Sequence, residues 1–304
     1  MDNKNNREIQ WNGVFPALTT KFFPDGELDF ELFFKNLDAQ VNAGVDGVIL
    51  GGTLGEANAL RSEEKMELTR QVIEHLQGSL PVVMNIAEGS TRDALERVKE
   101  AEDAGVDGLM VLPPMRYLGD HREIVTYFSE IAASTGLPMM IYNNPVDYKT
   151  LVTLEMFDEL LGHDNIQAVK ESTRDITNVT RLINRYGDRL KIFCGVDTLA
   201  LEALLMGAHG WVAGLVCAFP KETLALYRLV REGRMNEALA LYRWFMPLLE
   251  LDIHPKLVQY IKLAEQMEGI GSEYVRAPRL TLTGEERERV TSIIQKAIET
   301  RPQF

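Results

Sequence analysis

"AGVDGVIL", residues 43–50, returns as "AGVDGLMV" at residues 104–111, and "MGAHGWVAG" at 206–214 repeats the plan more loosely. Each copy places a glycine where a helical pattern ends, a position at which left-handed backbone is cheap, and then enters an apolar run that reads as a strand. Runs of the same kind occur at "GVFPALTT", "GVILGG", "PVVMNIA", "GLMVLP", "PMMIYNN", "IQAVKES", "LKIFCGV" and "GWVAGL", which makes eight candidate strands. Between them, segments such as "SEEKMELTRQVIEHLQG" and "TRDALERVKEAEDAG" repeat apolar residues at helical spacing. The strands are almost continuously apolar, which suits a parallel sheet covered on both faces. Eight βα units in about 220 residues without a composition break predict an α/β protein whose residues 10–232 form a (β/α)8 barrel rather than an open doubly wound sheet. Residues 233–304 carry three further amphipathic stretches and predict a C-terminal helical extension packed on the outside of the barrel.

The totals narrow the function classes. The 304-residue chain has 45 acidic against 32 basic residues, a formal charge of -13, and no basic stripe, so nucleic acid is not an expected partner. The longest apolar runs, such as "WVAGLVCAF", fall short of the roughly 20 residues that span a bilayer, and "MDNKNNREIQ" is too polar for a secretory leader. A cytoplasmic enzyme without membrane contact is the expectation. Cys194 and Cys217 form no CxxC pair and are predicted to be reduced and apolar-facing.

A barrel of this kind carries its site at the C-terminal ends of the strands. There the sequence places Lys170 in "NIQAVKEST", a lysine inside an apolar strand. A lysine snorkelling to water is the plain alternative; a lysine facing inward loses its proton more easily, and the neutral amine attacks carbonyls to form a Schiff base. Tyr142 in "IYNNP" sits on the preceding strand, where a phenol can shuttle protons, although a packed aromatic with a satisfied hydroxyl reads equally well. Asn143 to Pro145 read as a turn. The glycine-rich "LGGTLGEANAL" offers backbone amides for a carboxylate, and it lacks the GK[ST] ending of a phosphate loop. Thr53 in that turn has the option of bonding Tyr142 or a substrate, and Glu56 is read as a brace for the loop. The five histidines show no metal-ligand spacing and no GxGxxG follows the first strand, so neither a metal nor a dinucleotide cofactor is expected.

Together "GTLGE" at 52–56, "YNNP" at 142–145, "VKES" at 169–172 and "CGVD" at 194–197 resemble the dihydrodipicolinate synthase and N-acetylneuraminate lyase family of Schiff-base aldolases, over essentially the whole chain. The resemblance implies that Lys170 forms an imine with a 2-oxo acid and needs no other cofactor, that Tyr142 relays protons, and that Thr53 positions the Tyr142 phenol. It also implies that the substrate carboxylate rests on the amides around Thr53, Leu54 and Gly55, that Gly195 and Val212 line the pocket, and that the chain assembles as a homotetramer, a dimer of dimers. Three positions depart from the family's lysine-biosynthesis members: Leu54 replaces a hydroxyl residue, Met115 a tyrosine, and Asp147, beside Asn144, an arginine that holds the carboxylate of the aldehyde substrate. An anion at 147 repels that carboxylate. Within the family, the motifs together with "LYRWFMPLLELDIHPK" most resemble the 1-pyrroline-4-hydroxy-2-carboxylate deaminases of hydroxyproline catabolism, which implies a cyclic imine as substrate. A pyruvate-dependent aldolase and a non-catalytic oxo-acid sensor are the alternatives.

Overall fold

The structure, a computed structural model, describes residues 9–114 and 116–303. Eight parallel strands, β1 (Gly13–Pro16), β2 (Val48–Leu50), β3 (Val82–Ile86), β4 (Gly108–Val111), β5 (Met139–Asn143), β6 (Ile166–Glu171), β7 (Lys191–Cys194) and β8 (Gly210–Ala213), follow one another around a ring. Pairing of β1 with β8 is continuous over four residues. The remaining seam is closed by a bridge between Ala17 and Ile49, where the Leu18 amide donates to the Ile49 carbonyl at 3.0 Å. Helices α1 (Phe30–Ala43), α2 (Ser62–Leu76), α3 (Thr91–Ala104), α4 (His121–Ser134), α5 (Pro145–Tyr148), α6 (Leu154–Leu160), α7 (Thr177–Tyr186), α8 (Ala200–Leu205) and α9 (Pro220–Arg231) alternate with the strands. The expected (β/α)8 barrel is therefore present.

The repeated junction earns its recurrence at every letter. Gly44 and Gly105 take φ of 90° and 89° at the ends of α1 and α3, each giving its N–H to two helix carbonyls. Two residues on, the Asp46 carboxylate accepts from the Val14 amide of β1 and the Asp107 carboxylate from the Val82 amide of β3, both at 2.8 Å. These bonds satisfy strand-start donors that have no partner further down the barrel. In the third copy His209 does the same work, its Nδ1 accepting from the Ile192 amide of β7 at 3.1 Å. That explains why the looser "GAHG" still ends a helix and starts a strand.

The barrel floor is aromatic. Trp11, Phe15 and Phe193 lie within 5.3 to 6.1 Å of one another, centroid to centroid. The Trp11 indole donates to Gln167 Oε1 at 2.9 Å. The β5–β6 pairing shifts register between Met139 and Met140, opposite Gln167. Such a bulge is a usual way to re-aim a side chain beside a site, and nothing in the sequence announces it.

Beyond the barrel, α10 (Met235–Leu249), α11 (Leu257–Met267) and α12 (Gly284–Glu299) occupy the three predicted helical stretches. Within this extension α11 is enclosed: every residue from Val258 to Glu265 is buried. Its charges are matched to the barrel's loops. Lys262 Nζ donates to Glu56 Oε1 at 2.8 Å and Glu265 pairs with Lys21 at 3.0 Å, all four side chains being fully buried. Cys194 and Cys217 are free and buried, as the sequence reading holds.

Candidate active site

The C-terminal strand ends surround a cavity of about 490 Å³. At its base Tyr142 of β5 and Lys170 of β6 are register partners, and the lysine Nζ stands 4.1 Å from the centre of the phenol ring. Lys170 is only 8% exposed, which rules out snorkelling. Burial lowers its pKa below the ordinary lysine value, with Tyr148, Asp252 and Asp197 pulling the other way. Room for the side chain comes from Gly195: a Cβ there would stand 2.6 Å from Lys170 Cγ and 2.1 Å from Ser172 Oγ.

The phenol arrangement differs from the expected one. Thr53 does not bond Tyr142; its Oγ1 lies 2.7 Å from the hydroxyl of Tyr148, on α5. The Tyr142 hydroxyl instead accepts from Asn144 Nδ2 at 3.1 Å. The two tyrosine rings meet edge to face, 5.6 Å apart, so Thr53 touches Tyr142 only through Tyr148. Burial pushes both phenols up to about 12, which keeps them protonated and able to donate. The local cause is α5. Asn143 ends β5, its side chain held by Val152, while Asn144 caps the short helix by accepting from the Asp147 amide at 3.1 Å, with Pro145 in the first turn. Residues 143–145, read as a turn, are thus a strand end and a helix start. The helix carries Tyr148 back over the cavity.

Thr53 and Leu54 line the cavity, and their N–H groups, with that of Gly55, have no acceptor among the described residues. The two free amides on the wall, Thr53 and Leu54, offer a seat for a carboxylate. Gly55 lies behind that seat and not on the cavity wall, its carbonyl accepting from Thr20 Oγ1 at 2.7 Å. Glu56 braces the loop from below: its carboxylate takes Lys262 Nζ and the Arg276 amide at 2.8 and 3.0 Å. Asn144, Asp147, Gly195 and Val212 also reach the wall. Asp147 is engaged by Asn144 Nδ2 at 2.7 Å. Met115 lies outside the described residues.

Several wall residues have no sequence signal that the motifs carry. Tyr148 stands six positions after Tyr142 and is visible only once α5 exists. Arg174 lies at the mouth with φ of 64°, a left-handed backbone that costs a non-glycine residue roughly 1–2 kcal/mol. Asp252, Ile253 and His254 arrive from the segment between α10 and α11. His254 also stacks on Tyr260 and accepts from the Lys256 amide.

The family model for the dihydrodipicolinate synthetase family matches residues 10–297, nearly the whole described chain. The chain belongs to this family. Curated relatives include the 4-hydroxy-tetrahydrodipicolinate synthases of Moorella thermoacetica, 29% identical over 95% of this chain and 99% of that one, and of Exiguobacterium sibiricum, 30% identical over 90% and 92%. Among solved structures, dihydrodipicolinate synthase from Bacillus anthracis superposes with a TM-score of 0.92 at 28% identity, covering 97% of this chain and all of that one. The 4-hydroxy-tetrahydrodipicolinate synthase from Methylacidiphilum fumariolicum gives 0.90 at 30% identity, covering 95% and 96%. The protein is thus a lyase of the dihydrodipicolinate synthetase family, and its cavity is the place where that family's Schiff-base chemistry is to be sought.

Proposed function

We propose that Lys170 forms an imine at C2 of its substrate and that this substrate is 1-pyrroline-4-hydroxy-2-carboxylate, converted to 2,5-dioxopentanoate and ammonia. The observation that carries the reading is the cavity wall that holds Lys170, where Asp147 stands at the position of the lysine-biosynthesis members' arginine and a second carboxyl, Asp252, joins it beside the free amides. Such a pocket takes one carboxylate, at the amides, and prefers neutral or hydrogen-bond-donating groups at the far end of the substrate. A cyclic imine bearing a hydroxyl has that distribution.

The Lys170 amine adds to C2 and the ring nitrogen leaves that carbon as a primary amine on C5. Loss of a C3 proton gives the enamine, which expels the C4 hydroxyl as water. Shift of the double bond to C5 and hydrolysis there release ammonia, and hydrolysis at C2 frees Lys170, so that one water is consumed overall. Tyr142, protonated and against the lysine, supplies and recovers protons at the imine. No metal or organic cofactor enters this sequence.

A second reading is condensation of pyruvate with aspartate semialdehyde, the reaction class named for the curated relatives. Arg174 at the mouth favours it, since a guanidinium there could receive a second carboxylate. Ammonia release from the pyrroline by purified protein, with Lys170→Ala as control and the condensation assayed in parallel, separates the two. Rapid Lys170-dependent ammonia release supports the first reading. Condensation without ammonia release replaces it with the second.

A further inference from the structure

Asp252 enters the cavity from outside the barrel, on the turn that links α10 to α11. It fits because residue 214, just past β8, is glycine: a Cβ there would stand 2.1 Å from Asp252 Oδ1. The neighbouring carboxylates and the Tyr148 phenol are occupied. Asp147 is held by Asn144, and the Tyr148 hydroxyl is shared with Thr53. Asp197 accepts from the Trp211 indole and from the amides of Gly214 and Leu215. The Asp252 carboxyl, by contrast, receives no hydrogen bond from any described residue, although it faces the cavity that holds Lys170.

We propose that Asp252 is a catalytic acid–base residue for the far carbons of the substrate, delivered to the barrel by the C-terminal helices. The inference rests on the reading of Lys170 as imine former and of the pyrroline as substrate. Asp252 gives its proton to the C4 oxygen as the C4–O bond breaks, the electron pair of the C2–C3 enamine moves to C3–C4, and water departs. The resulting carboxylate recovers a proton from C5 as the double bond migrates toward the nitrogen. Proton count and charge are restored at the end of the two steps. The charged groups that face Asp252 are Lys170 from β6, Asp197 beyond β7 and Asp147 from α5; burial, reinforced by Asp197, holds its carboxyl well above the usual carboxylate range, so it has a proton to give. Tyr142, against the lysine, is assigned to the imine, which leaves Asp252 as the wall carboxyl without a hydrogen-bond partner among the described residues to serve C4 and C5.

The test compares wild type, Asp252→Asn and Asp252→Glu in two assays: steady-state ammonia release from the pyrroline, and borohydride trapping of pyruvate on Lys170. Asp252→Asn is expected to lose about 100-fold or more in kcat with KM within a few-fold, to trap pyruvate like wild type, and to be partly rescued by Asp252→Glu. Wild-type kcat in Asp252→Asn overturns the inference while leaving the imine reading intact. Loss of trapping together with turnover also overturns it, since that outcome marks a structural role. Absence of trapping or of ammonia release in the wild type removes the reading and the inference together.

Discussion

Lys170 shows what a functional residue costs the fold. Its pKa in the folded protein lies below the ordinary 10.5, so folding opposes its protonation. The resulting penalty is absent well above pH 10.5, grows as pH falls from there, and is complete below the folded-state pKa. Lys170→Met removes that penalty and is expected to raise stability at neutral pH, on the order of 1 kcal/mol, with the advantage shrinking in alkali. Thermal melts of both proteins at pH 7 and above pH 10.5 check this; an unchanged difference at both would contradict it. Lys170→Ala is expected to abolish turnover, and substantial residual activity would sink the mechanism. Gly195→Ala places a methyl group where Lys170 Cγ and Ser172 Oγ already are, so the amine must move. A loss of at least about 10-fold in kcat, larger than any change in Tm would explain, is the expected result.

At the scale of the element, α5 and the register shift in β6 decide which groups meet. Because Thr53 pairs with Tyr148 and not with Tyr142, removing the hydroxyl in Tyr148→Phe should mimic Thr53→Val, and the double substitution should cost little more than either. We expect each to lower kcat by about 10- to 100-fold with imine trapping preserved; additive losses would show two independent roles. The eight strands were legible because each is an apolar run bounded by glycine or polar residues, and Lys170 and Tyr142 were legible because they interrupt such runs near their ends. The partner of Thr53 was not, because it depends on a four-residue helix that "NNPVDYK" conceals as a turn. The shift opposite Gln167 was hidden too: Gln167 is bonded to Trp11, 156 positions away in sequence, a contact that no local pattern announces.

Across the whole molecule, α11 is bolted to the barrel mouth by buried charge. Glu56→Ala would leave Lys262 without its carboxylate in a site with no water access, and a loss of roughly 3–5 kcal/mol in stability is expected, measured by denaturant unfolding. A loss below about 1 kcal/mol would show that the pair is structurally idle. The sequence hid this arrangement because Lys262 and Glu265 sit in a stretch whose periodicity is that of an ordinary amphipathic helix, and charge there reads as a solvated face. Asp252 escaped for a related reason: its neighbours in sequence belong to the extension, while its neighbours in space are Gly214 and Leu54.

The same bolting sets a clock on biosynthesis. The loop that carries Thr53 is translated early, yet its brace, Glu56, meets Lys262 only after more than two-thirds of the chain has been made. At about 5–20 residues per second, that loop waits on the order of 10 seconds or more beside a ribosome with an unpaired glutamate beneath it. A nascent barrel of eight strands therefore lacks the brace under its Thr53 loop, which is complete only when α11 emerges.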